Sequence, residues 1–435
     1  MNIITTVSDR RDMALAEAFE QFRSRRPKTA SLHERAAKLM PGGNTRTVLY
    51  TWPMPIRAAK GEGAVITDID GLSYADFLGE YSAGIYGHSH PRIRTAVAQA
   101  LETGLNLGAH HTAEVLFAEL LCDRFDLDLV RFTNSGTEAN MMALAAARCF
   151  TKRSKIMAMH GGYHGGTLYF AQGGSPVNAP FDVVLGRFND LDQTRKLISE
   201  HAGDLAALIV EPMLGSGGSI PAEPDFLAML REETLRQGIV LIFDEVMTSK
   251  LHPKGVSAHY GIVPDLKTLG KYIGGGMSFG GFGGRADIMG QFDPSRPDAL
   301  PHAGTFNNNT LTMTVGHIAM SEIFTPEACV ALNRRGERLR SGLNELFMRY
   351  QAPMRATGMG SMLTLHPVAG EVRRPEQAAG ADIRLKRLLY LHLLDRGYYI
   401  AERGLATLSL MIDDEHCKGL VGAVAAFIDH RRELF

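Results

Sequence analysis

The sequence predicts an α/β protein in which a large domain carries a mostly parallel sheet and a small α+β domain is built from both ends of the chain. Three observations support this prediction. Between about residues 100 and 325, short apolar runs alternate with helical patterns, which is typical of a parallel sheet covered on both faces. After residue 325, longer amphipathic helices alternate with a few short strands. The 435 residues suffice for two or three domains.

Local patterns predict the elements of the N-terminal and central parts of the chain. Apolar residues at helical spacing, such as Ala14, Ala18 and Phe22, predict N-terminal helices that end in a turn at residues 41–44 (PGGN). Residues 70–71 (Asp-Gly) lie between strand-forming runs and predict a hairpin, because glycine accepts a positive φ without a Cβ clash. The strands of the large domain are predicted from apolar runs at residues 129–132, 155–159, 205–210 and 239–243.

The C-terminal part predicts a smaller α+β unit. Its elements are a long helix after Pro326, a strand at 362–365, a helix at 381–396, strands around 398–400 and 408–410, and a final helix near 414–432. We therefore expect three segments: 1–75 joining the small domain, 76–325 forming the large domain, and 326–435 forming the C-terminal small domain.

Composition excludes several classes of protein. Lys plus Arg is 46 and Asp plus Glu is 47, so the formal charge is −1 and gives no bulk attraction to nucleic acid or an anionic membrane. No apolar run approaches the ~20 residues of a spanning helix, and charged residues from Asp9 onward interrupt any signal-peptide core. The four cysteines lie far apart without a disulfide pattern. We expect a cytoplasmic protein.

A first candidate site lies at residues 133–138 (TNSGTE), between a predicted strand and an alanine-rich helix. Ser135 and Glu138 fit the S-x-x-E capping box, so the segment is explained as a well-capped helix. It also suits a phosphate, because free N–H groups at a helix N-terminus and the hydroxyls of Ser135 and Thr137 attract an anion. The two interpretations are compatible.

A second candidate is the glycine-rich loop at residues 160–166 (HGGYHGG). Tyr163 in such a loop suits stacking on a planar ligand, although a tight surface turn with a partly buried tyrosine explains it equally. His160 and His164 are four residues apart, which can indicate zinc. The intervening glycines make a poor helix and the segment has no carboxylate or cysteine, so we expect no metal.

A third candidate is the strand at residues 241–246 (LIFDEV), which ends in two acids and resembles the Walker B strand of ATPases. An ATPase also needs a G-x-x-x-x-G-K-[ST] loop, and the chain has none. A dinucleotide site at residues 215–218 (GSGG) lacks its third glycine. A buried Asp244 is costly unless paired, and its partner can be a protonated heterocyclic nitrogen, a metal or loop amides.

A fourth candidate is Lys271, which is crowded by glycines in residues 268–276 (TLGKYIGGG). Glycines let the backbone approach a ligand closely, and a desolvated lysine has a lowered pKa and forms Schiff bases. Lys250, Lys254 and Lys267 lie nearby in surroundings that favour ordinary exposed charges. The four segments together supply a phosphate site, an aromatic plate, an acid for a ring nitrogen and a reactive lysine, which are the requirements of pyridoxal 5′-phosphate (PLP).

The chain resembles the class III aminotransferases of PLP fold type I over essentially its whole length. It is most similar to the branch of β-phenylalanine aminotransferases and, more distantly, glutamate-1-semialdehyde aminomutases. The matching motifs, in the family's order, are residues 134–140 (NSGTEAN), 162–165 (GYHG), 243–246 (FDEV), 269–276 (LGKYIGGG) and 304–306 (GTF). The resemblance implies fold type I, with a large domain around a seven-stranded-type sheet.

The resemblance also implies the roles of the cofactor residues. Lys271 would carry PLP and move the substrate proton, and Asp244 would pair with the pyridine nitrogen. The phosphate would be held by Ser135, Gly136 and Thr137. Tyr163 would stack on one face of the ring and Val246 would pack on the other. His164 and Glu211 match family positions near the cofactor. Thr305 resembles a residue that reaches the partner subunit's phosphate, which implies a homodimer.

Two arginines are implied in substrate binding. Arg46 matches the arginine that β-phenylalanine aminotransferases use for the carboxylate of the β-amino acid. Arg403 matches a mobile arginine that holds the α-carboxylate of the oxo-acid acceptor. Arginine suits both tasks because its planar guanidinium binds a carboxylate through two hydrogen bonds. A structural ion pair is the alternative for each.

Two departures separate the chain from the aminomutase pattern. The aminomutase run Asn-Ser-Pro-Val-Arg is replaced at residues 44–48 (NTRTV), and Ser-Gly-Asn-Pro after the Gly-Thr-Phe motif is replaced at residues 307–310 (NNNT). Both changes match the β-amino acid branch. We therefore expect a PLP-dependent transaminase that moves an amino group from a β-phenylalanine-like β-amino acid to 2-oxoglutarate or pyruvate. A glutamate-1-semialdehyde aminomutase and an amine (omega) transaminase remain the alternatives.

Overall fold

A computed structural model describes residues 7–435. The helices are α1 (Val7–Ser24), α2 (Pro27–Ala37), α3 (Pro91–Thr103), α4 (Thr112–Phe125), α5 (Gly136–Thr151), α6 (Leu191–Glu200), α7 (Pro224–Gln237), α8 (Val256–Tyr260), α9 (Ala286–Met289), α10 (Thr310–Ile318), α11 (Pro326–Tyr350), α12 (Pro375–Ala379), α13 (Ile383–Asp395) and α14 (Asp414–His430). The strands are β1 (Ala58–Glu62), β2 (Val65–Asp68), β3 (Ser73–Asp76), β4 (Leu129–Thr133), β5 (Lys155–Met159), β6 (Val183–Gly186), β7 (Leu205–Val210), β8 (Met213–Leu214), β9 (Ile220–Pro221), β10 (Val240–Asp244), β11 (Leu266–Gly270), β12 (Gly280–Gly284), β13 (Arg355–Met359), β14 (Met362–His366), β15 (Tyr398–Tyr399) and β16 (Leu405–Thr407).

The large sheet confirms the predicted α/β class. Its seven strands run in the order β4-β12-β11-β10-β7-β5-β6. Strand β12 pairs antiparallel with both of its neighbours, and the strands from β11 to β6 pair in parallel. Strands β7 and β10 are buried along their whole length, because helices cover both faces of the sheet. The sheet is therefore mostly parallel, as the alternating apolar runs predict.

A smaller sheet joins the two ends of the chain. Strands β2 and β3 form the hairpin predicted at the Asp-Gly turn, where Gly71 has a φ of +91°. Strand β3 then pairs in parallel with β15, so the order is β1-β2-β3-β15. This pairing joins an N-terminal strand to the C-terminal part of the chain, whereas the domain bounds at residues 75 and 325 stay a prediction.

One predicted strand is wrong. The alternation at residues 408–410 predicts a strand there. The structure instead has this strand three residues earlier, as β16, which pairs with β14. Leu408 N–H donates to Ser361 O, and Leu410 N–H donates to Ile85 O. The segment is therefore extended and buried after the ladder has ended, which gives it the apolar pattern of a strand. Within residues 7–435, no helix is long and apolar enough to span a bilayer.

Candidate active site

The four candidate segments lie at one edge of the large sheet. Strands β4, β5 and β10 lead directly into residues 133–138, the glycine loop and Asp244–Val246, and Lys271 follows β11 without a gap. The carboxyl ends of parallel strands meet at the same edge, which is where open α/β sheets bind ligands. The topology therefore brings together segments that are separated by up to about 130 residues of chain.

The N-terminus of α5 is built as an anion site. Ser135 is the N-cap, and its Oγ accepts a hydrogen bond from Glu138 N–H at 3.2 Å. The Glu138 carboxylate accepts a hydrogen bond from Asn134 N–H at 2.9 Å. The reciprocal bond of the capping box therefore goes to the residue before the N-cap instead of to the N-cap itself. In the described chain the N–H groups of Gly136 and Thr137 have no hydrogen-bond partner. These two donors and the positive end of the helix dipole favour a negative charge.

The glycine loop packs against this helix end. Gly165 has a φ of +121°, and a Cβ there would lie 2.3 Å from Thr137 Oγ1. Gly166 N–H donates to Thr137 Oγ1 at 3.3 Å. A Cβ on Gly136 would lie 2.9 Å from the Val246 methyl groups. Only glycine fits at 136 and 165, so the close approach of the loop, the helix and Val246 depends on these two residues.

Asp244 is held by three donors at the end of β10. Its Oδ2 accepts hydrogen bonds from Asn140 Nδ2 and His164 Nδ1, both at 2.8 Å, and its Oδ1 accepts one from Val246 N–H at 3.0 Å. Thr268 Oγ1 donates in turn to Asn140 Oδ1 at 2.6 Å. His164 Nε2 is buried and has no partner in the described chain. Such a network fixes the orientation of a buried carboxylate.

Lys271 has the features of a reactive lysine. Its φ is +54°, a left-handed conformation that costs a non-glycine residue energy and is concentrated at functional sites. No salt bridge or hydrogen bond of its amine is formed in residues 7–435. Burial lowers the pKa of Lys271 to about 8, and the charges of Glu80, Arg46, Asp244 and Arg403 act on the same group. The structure thus places both predicted substrate arginines near the predicted catalytic lysine.

The expectation that Lys250 and Lys267 are ordinary exposed charges is wrong, because both are buried, and only Lys254 of the three is exposed. The amines of Lys250 and Lys267 donate to the carbonyl oxygens of Leu408 and Phe125, at 3.3 and 2.6 Å. They therefore differ from Lys271 in being paired.

Glu211 and Tyr163 are joined on the open side of the site. Glu211 Oε1 accepts a hydrogen bond from Tyr163 N–H, and its Oε2 accepts one from Gly215 N–H, both at 2.9 Å. Burial raises the pKa of Glu211 to about 7. The side chain of Tyr163 is 40% exposed, so a face of its ring is free to contact a ligand. Glu211 therefore fixes the loop that carries the predicted stacking residue.

The two arginines are paired differently. Arg46 forms a salt bridge with Glu80 at 2.5 Å, in which both side chains are about half exposed. The guanidinium of Arg403 lies 5.0 Å from the centre of the Tyr81 ring, and burial lowers the pKa of Arg403. No acidic partner of Arg403 occurs in the described part of the chain. Arg403 is therefore an unpaired cation above an aromatic ring.

Thr305 does not join the site of its own chain. It lies on an exposed loop and lines a surface depression of about 410 Å³ with Leu105, Leu107 and Asn308. No hydrogen bond connects Thr305 with the N-terminus of α5 among the described residues. Leu105 and Leu107 in this depression are exposed, and so is Phe306, the residue after Thr305.

The arrangement fits PLP on structural grounds. The N-terminus of α5 offers two unpartnered N–H donors for the phosphate, and Gly136 and Gly165 leave room for close backbone approach. Asp244 supplies a fixed buried carboxylate for a protonated ring nitrogen, and Lys271 supplies an unpaired amine of lowered pKa. These are three of the four features that the sequence predicts for the cofactor, and the exposed ring of Tyr163 is available as the fourth, the aromatic plate.

Comparison with known proteins agrees with this geometry. Residues 50–428 match the family described as aminotransferase class-III. The chain belongs to the class-III aminotransferases. It is 49% identical over 418 residues to a β-phenylalanine transaminase of Variovorax paradoxus, with 96% of each chain covered. A solved β-phenylalanine aminotransferase from the same organism superposes with a TM-score of 0.96 at 48% identity, covering 97% of this chain and 98% of the other.

A more distant relative is a glutamate-1-semialdehyde 2,1-aminomutase of Lachnoclostridium phytofermentans, 38% identical over 86% of this chain and 92% of the relative. The class-III aminotransferase is therefore a PLP-dependent transaminase of fold type I, as predicted. This assignment decides against the ATPase and dinucleotide alternatives. His164, considered as a zinc ligand, instead binds Asp244.

Sequence reasoning missed three residues of the site. Asn140 belongs to the motif at residues 134–140, and the motif alone assigns it no role. Its position inside an alanine-rich helix is a usable signal, because asparagine is unfavourable in a helix interior. For Glu80 and Tyr81, no sequence pattern indicates a role in the site. They reach the arginines only through a left-handed turn that ordinary residues rarely adopt.

Proposed function

We propose that this class-III aminotransferase transfers the amino group of a β-amino acid, aromatic or aliphatic, to a 2-oxo acid such as 2-oxoglutarate or pyruvate. The observation that carries the proposal is the position of Arg46. Its charge acts on Lys271, and its side chain lines a cavity of about 530 Å³. A carboxylate bound at Arg46 would therefore lie within electrostatic reach of Lys271, as the substrate of an aminotransferase must.

The cavity beside Arg46 suits an apolar side chain. Most of its wall comes from Leu49, Ile56, Leu78, Tyr399 and other apolar groups. Such a wall gains free energy from burying an aromatic or aliphatic group. Arg46 is the charge proposed to bind the carboxylate, and the cavity is also lined by the charged Arg57, Asp76 and Glu80. The 49% identity to a β-phenylalanine transaminase supports the same substrate class.

Arg403 is proposed to bind the carboxylate of the acceptor. Burial disfavours its charge, and it has no acidic partner among the described residues. An unpaired buried guanidinium gains from a carboxylate that arrives with the substrate. Tyr81 holds the guanidinium by a cation–π contact at 5.0 Å in the meantime.

The cofactor residues are proposed to act as the sequence predicts. Ser135 Oγ accepts from Glu138 N–H and keeps its own hydrogen to donate, so its capping role leaves it able to bind a phosphate. Gly136 and Thr137 would add their N–H groups. Val246 packs against Gly136 and would contact one face of the ring, and Tyr163 would contact the other.

Lys271 is proposed to move the proton of the amine-bearing carbon. Bound PLP supplies the electron sink that makes this proton removable. A pKa of about 8 keeps a useful fraction of the amine neutral near pH 7, which suits a general base. Asp244, oriented by Asn140 and His164, would keep the ring nitrogen protonated.

We also propose a homodimer in which Thr305 reaches the partner's phosphate site. The support is the position of Thr305, outside its own site and in a surface depression that it shares with the exposed Leu105 and Leu107. Exposed leucines that line a surface depression are typical of protein interfaces. A second copy of the chain would cover this depression and bring Thr305 to a foreign active site.

The test of the substrate class compares two amines that differ only in the carboxylate. β-Phenylalanine carries it and 1-phenylethylamine does not. Arg46→Ala should reduce kcat/KM for β-phenylalanine by about 10- to 100-fold, because a charged hydrogen bond contributes ~1.5–3 kcal/mol. The change for 1-phenylethylamine should stay within about threefold. Equal losses for both amines would make Arg46 structural and would remove the support for a β-amino acid.

The same assay separates the alternatives. Wild-type enzyme that turns over 1-phenylethylamine and leaves β-phenylalanine unchanged would be an amine transaminase. An enzyme inert to both amines but active on glutamate-1-semialdehyde would be an aminomutase, like the 38% identical relative. A matched binding measurement with 3-phenylpropanoate, which lacks the amino group, reports carboxylate recognition without turnover.

A further inference from the structure

The turn Gly79–Ser82 is an unusual segment of backbone next to the site. Its four residues have φ values of +51°, +47°, +54° and +77°, and three of them are not glycine. A left-handed conformation disfavours every L-residue except glycine and, to a lesser degree, Asn and Asp. Such a turn persists only where its surroundings hold it in place.

Strand β16 holds the turn. Thr407 N–H donates to Phe77 O at 2.6 Å, and Thr407 Oγ1 donates to Leu78 O at 2.8 Å. A Cβ on Gly79 would lie 2.7 Å from Thr407 Oγ1, so only glycine allows this contact. Tyr81 Oη donates to Val48 O at 2.8 Å, which ties the turn to the segment that follows Arg46. The turn is therefore tied both to β16 and to the segment that follows Arg46.

The turn supplies one partner to each of the two arginines. Glu80 forms the salt bridge with Arg46 at 2.5 Å, and the Tyr81 ring lies under Arg403. Neither group belongs to the residues that hold the cofactor. Both arginines are the groups proposed to bind substrate carboxylates, so the strained turn serves the substrate side of the site.

We propose that Glu80 is a specificity-determining residue, because its carboxylate occupies Arg46 until a substrate carboxylate displaces it. This inference rests on the proposed role of Arg46. A β-amino acid must compete with Glu80, whose side chain is 48% exposed and can move into solvent. An amine without a carboxylate leaves the pair intact, so it does not strand an unpaired guanidinium. Glu80 thereby weakens the binding of carboxylate substrates but not of simple amines, and so reduces the preference for carboxylate substrates.

A different role predicts the opposite effect. If Glu80 served to orient Arg46 toward the substrate, its removal would weaken carboxylate binding. If Glu80 competes with the substrate, removing its charge strengthens carboxylate binding. An exposed ion pair contributes little free energy, which limits the expected gain to about 2- to 5-fold in a dissociation constant. The sign of the change therefore decides between the two roles.

The experiment measures equilibrium binding of 3-phenylpropanoate to the holoenzyme by calorimetry. Glu80→Gln should lower the dissociation constant about 2- to 5-fold, and binding of the neutral 3-phenylpropanamide should not change. Glu80→Asn removes the same charge and suits the left-handed backbone better, so it provides a second variant if Gln disturbs the turn. Glu62→Gln is the matched control, because Glu62 is exposed on β1 and does not line the cavity.

The outcomes separate this inference from the proposed function. If Glu80→Gln and Glu80→Asn bind 3-phenylpropanoate no more tightly than wild type, while Arg46→Ala binds it at least tenfold more weakly, the inference on Glu80 is wrong and the role of Arg46 stands. If Arg46→Ala binds it as wild type does, the proposed carboxylate site is wrong and the inference falls with it. Tighter binding in both Glu80 variants, lost when Arg46→Ala is added, supports both.

Discussion

The close contact between Gly165 and Thr137 leads to a strong prediction for Gly165→Ala. The φ of +121° is rarely adopted by an L-residue, and the new Cβ would lie 2.3 Å from Thr137 Oγ1 and 2.8 Å from Thr137 Cα. Backbone strain of this kind costs ~1–3 kcal/mol and overpacking a similar amount. The loop can relieve both by moving away from α5, but it must return to form the phosphate site.

We therefore expect Gly165→Ala to cost about 3 kcal/mol of PLP affinity, which is about 100-fold in the dissociation constant. The assay is titration of the apoenzyme with PLP, followed by absorbance. Pyridoxal, which lacks the phosphate, should lose less than about threefold. Gly166→Ala is the matched control, since a Cβ at the next position meets nothing within 4 Å and its φ is not positive. Equal losses for PLP and pyridoxal would refute the assignment of this contact to the phosphate site.

Three further predictions concern the lysine, the network around Asp244 and the dimer. Burial lowers the pKa of Lys271 to about 8, so its neutral amine fraction should rise about tenfold between pH 7 and pH 9 and then level off. The rate at which trinitrobenzenesulfonate labels Lys271 in the apoenzyme, followed by mass spectrometry, should show this plateau. The labelling rate of an ordinary lysine would instead rise about 100-fold over the same range without a plateau. Asn140→Ala removes a hydrogen bond to the carboxylate of Asp244 and leaves the hydroxyl of Thr268 unpaired. The free energy of unfolding of the apoenzyme in urea should therefore fall by about 3 kcal/mol, against about 1 kcal/mol for Thr268→Val. Equal losses in the two variants would contradict the network. Thr305→Ala should weaken PLP about tenfold and pyridoxal hardly at all, and unchanged PLP affinity in the dimer would remove Thr305 from the phosphate site.

The sequence predicts the large sheet and its ligand-binding edge well. Strands such as β5 and β7 have the predicted bounds because continuous apolar runs flanked by helices have one stable arrangement, buried on both faces. The Asp-Gly hairpin is equally local in origin. The strand at 408–410 fails because burial alone gives an extended segment the same pattern as a paired strand.

The site shows the same division between local and distant causes. Residues such as Asp244 and Lys271 follow strands directly, so the strand pattern places them at the sheet edge. Glu80 could not be predicted, because its contact with Arg46 requires a left-handed turn held by Thr407, more than 300 residues away in the chain. Asn140, in α5, depends likewise on Asp244, which lies at the end of β10. Contacts of this kind are set by tertiary packing.

The central claim is that Lys271 and PLP transfer the amino group of a β-amino acid to a 2-oxo acid. The most direct test is the absorbance of the bound cofactor during single additions of β-phenylalanine and then 2-oxoglutarate. We predict that β-phenylalanine converts the cofactor to its aminated form, that 2-oxoglutarate restores it, and that Lys271→Ala blocks both changes while still binding the phosphate. A cofactor spectrum that β-phenylalanine leaves unchanged in the wild-type enzyme would contradict the account.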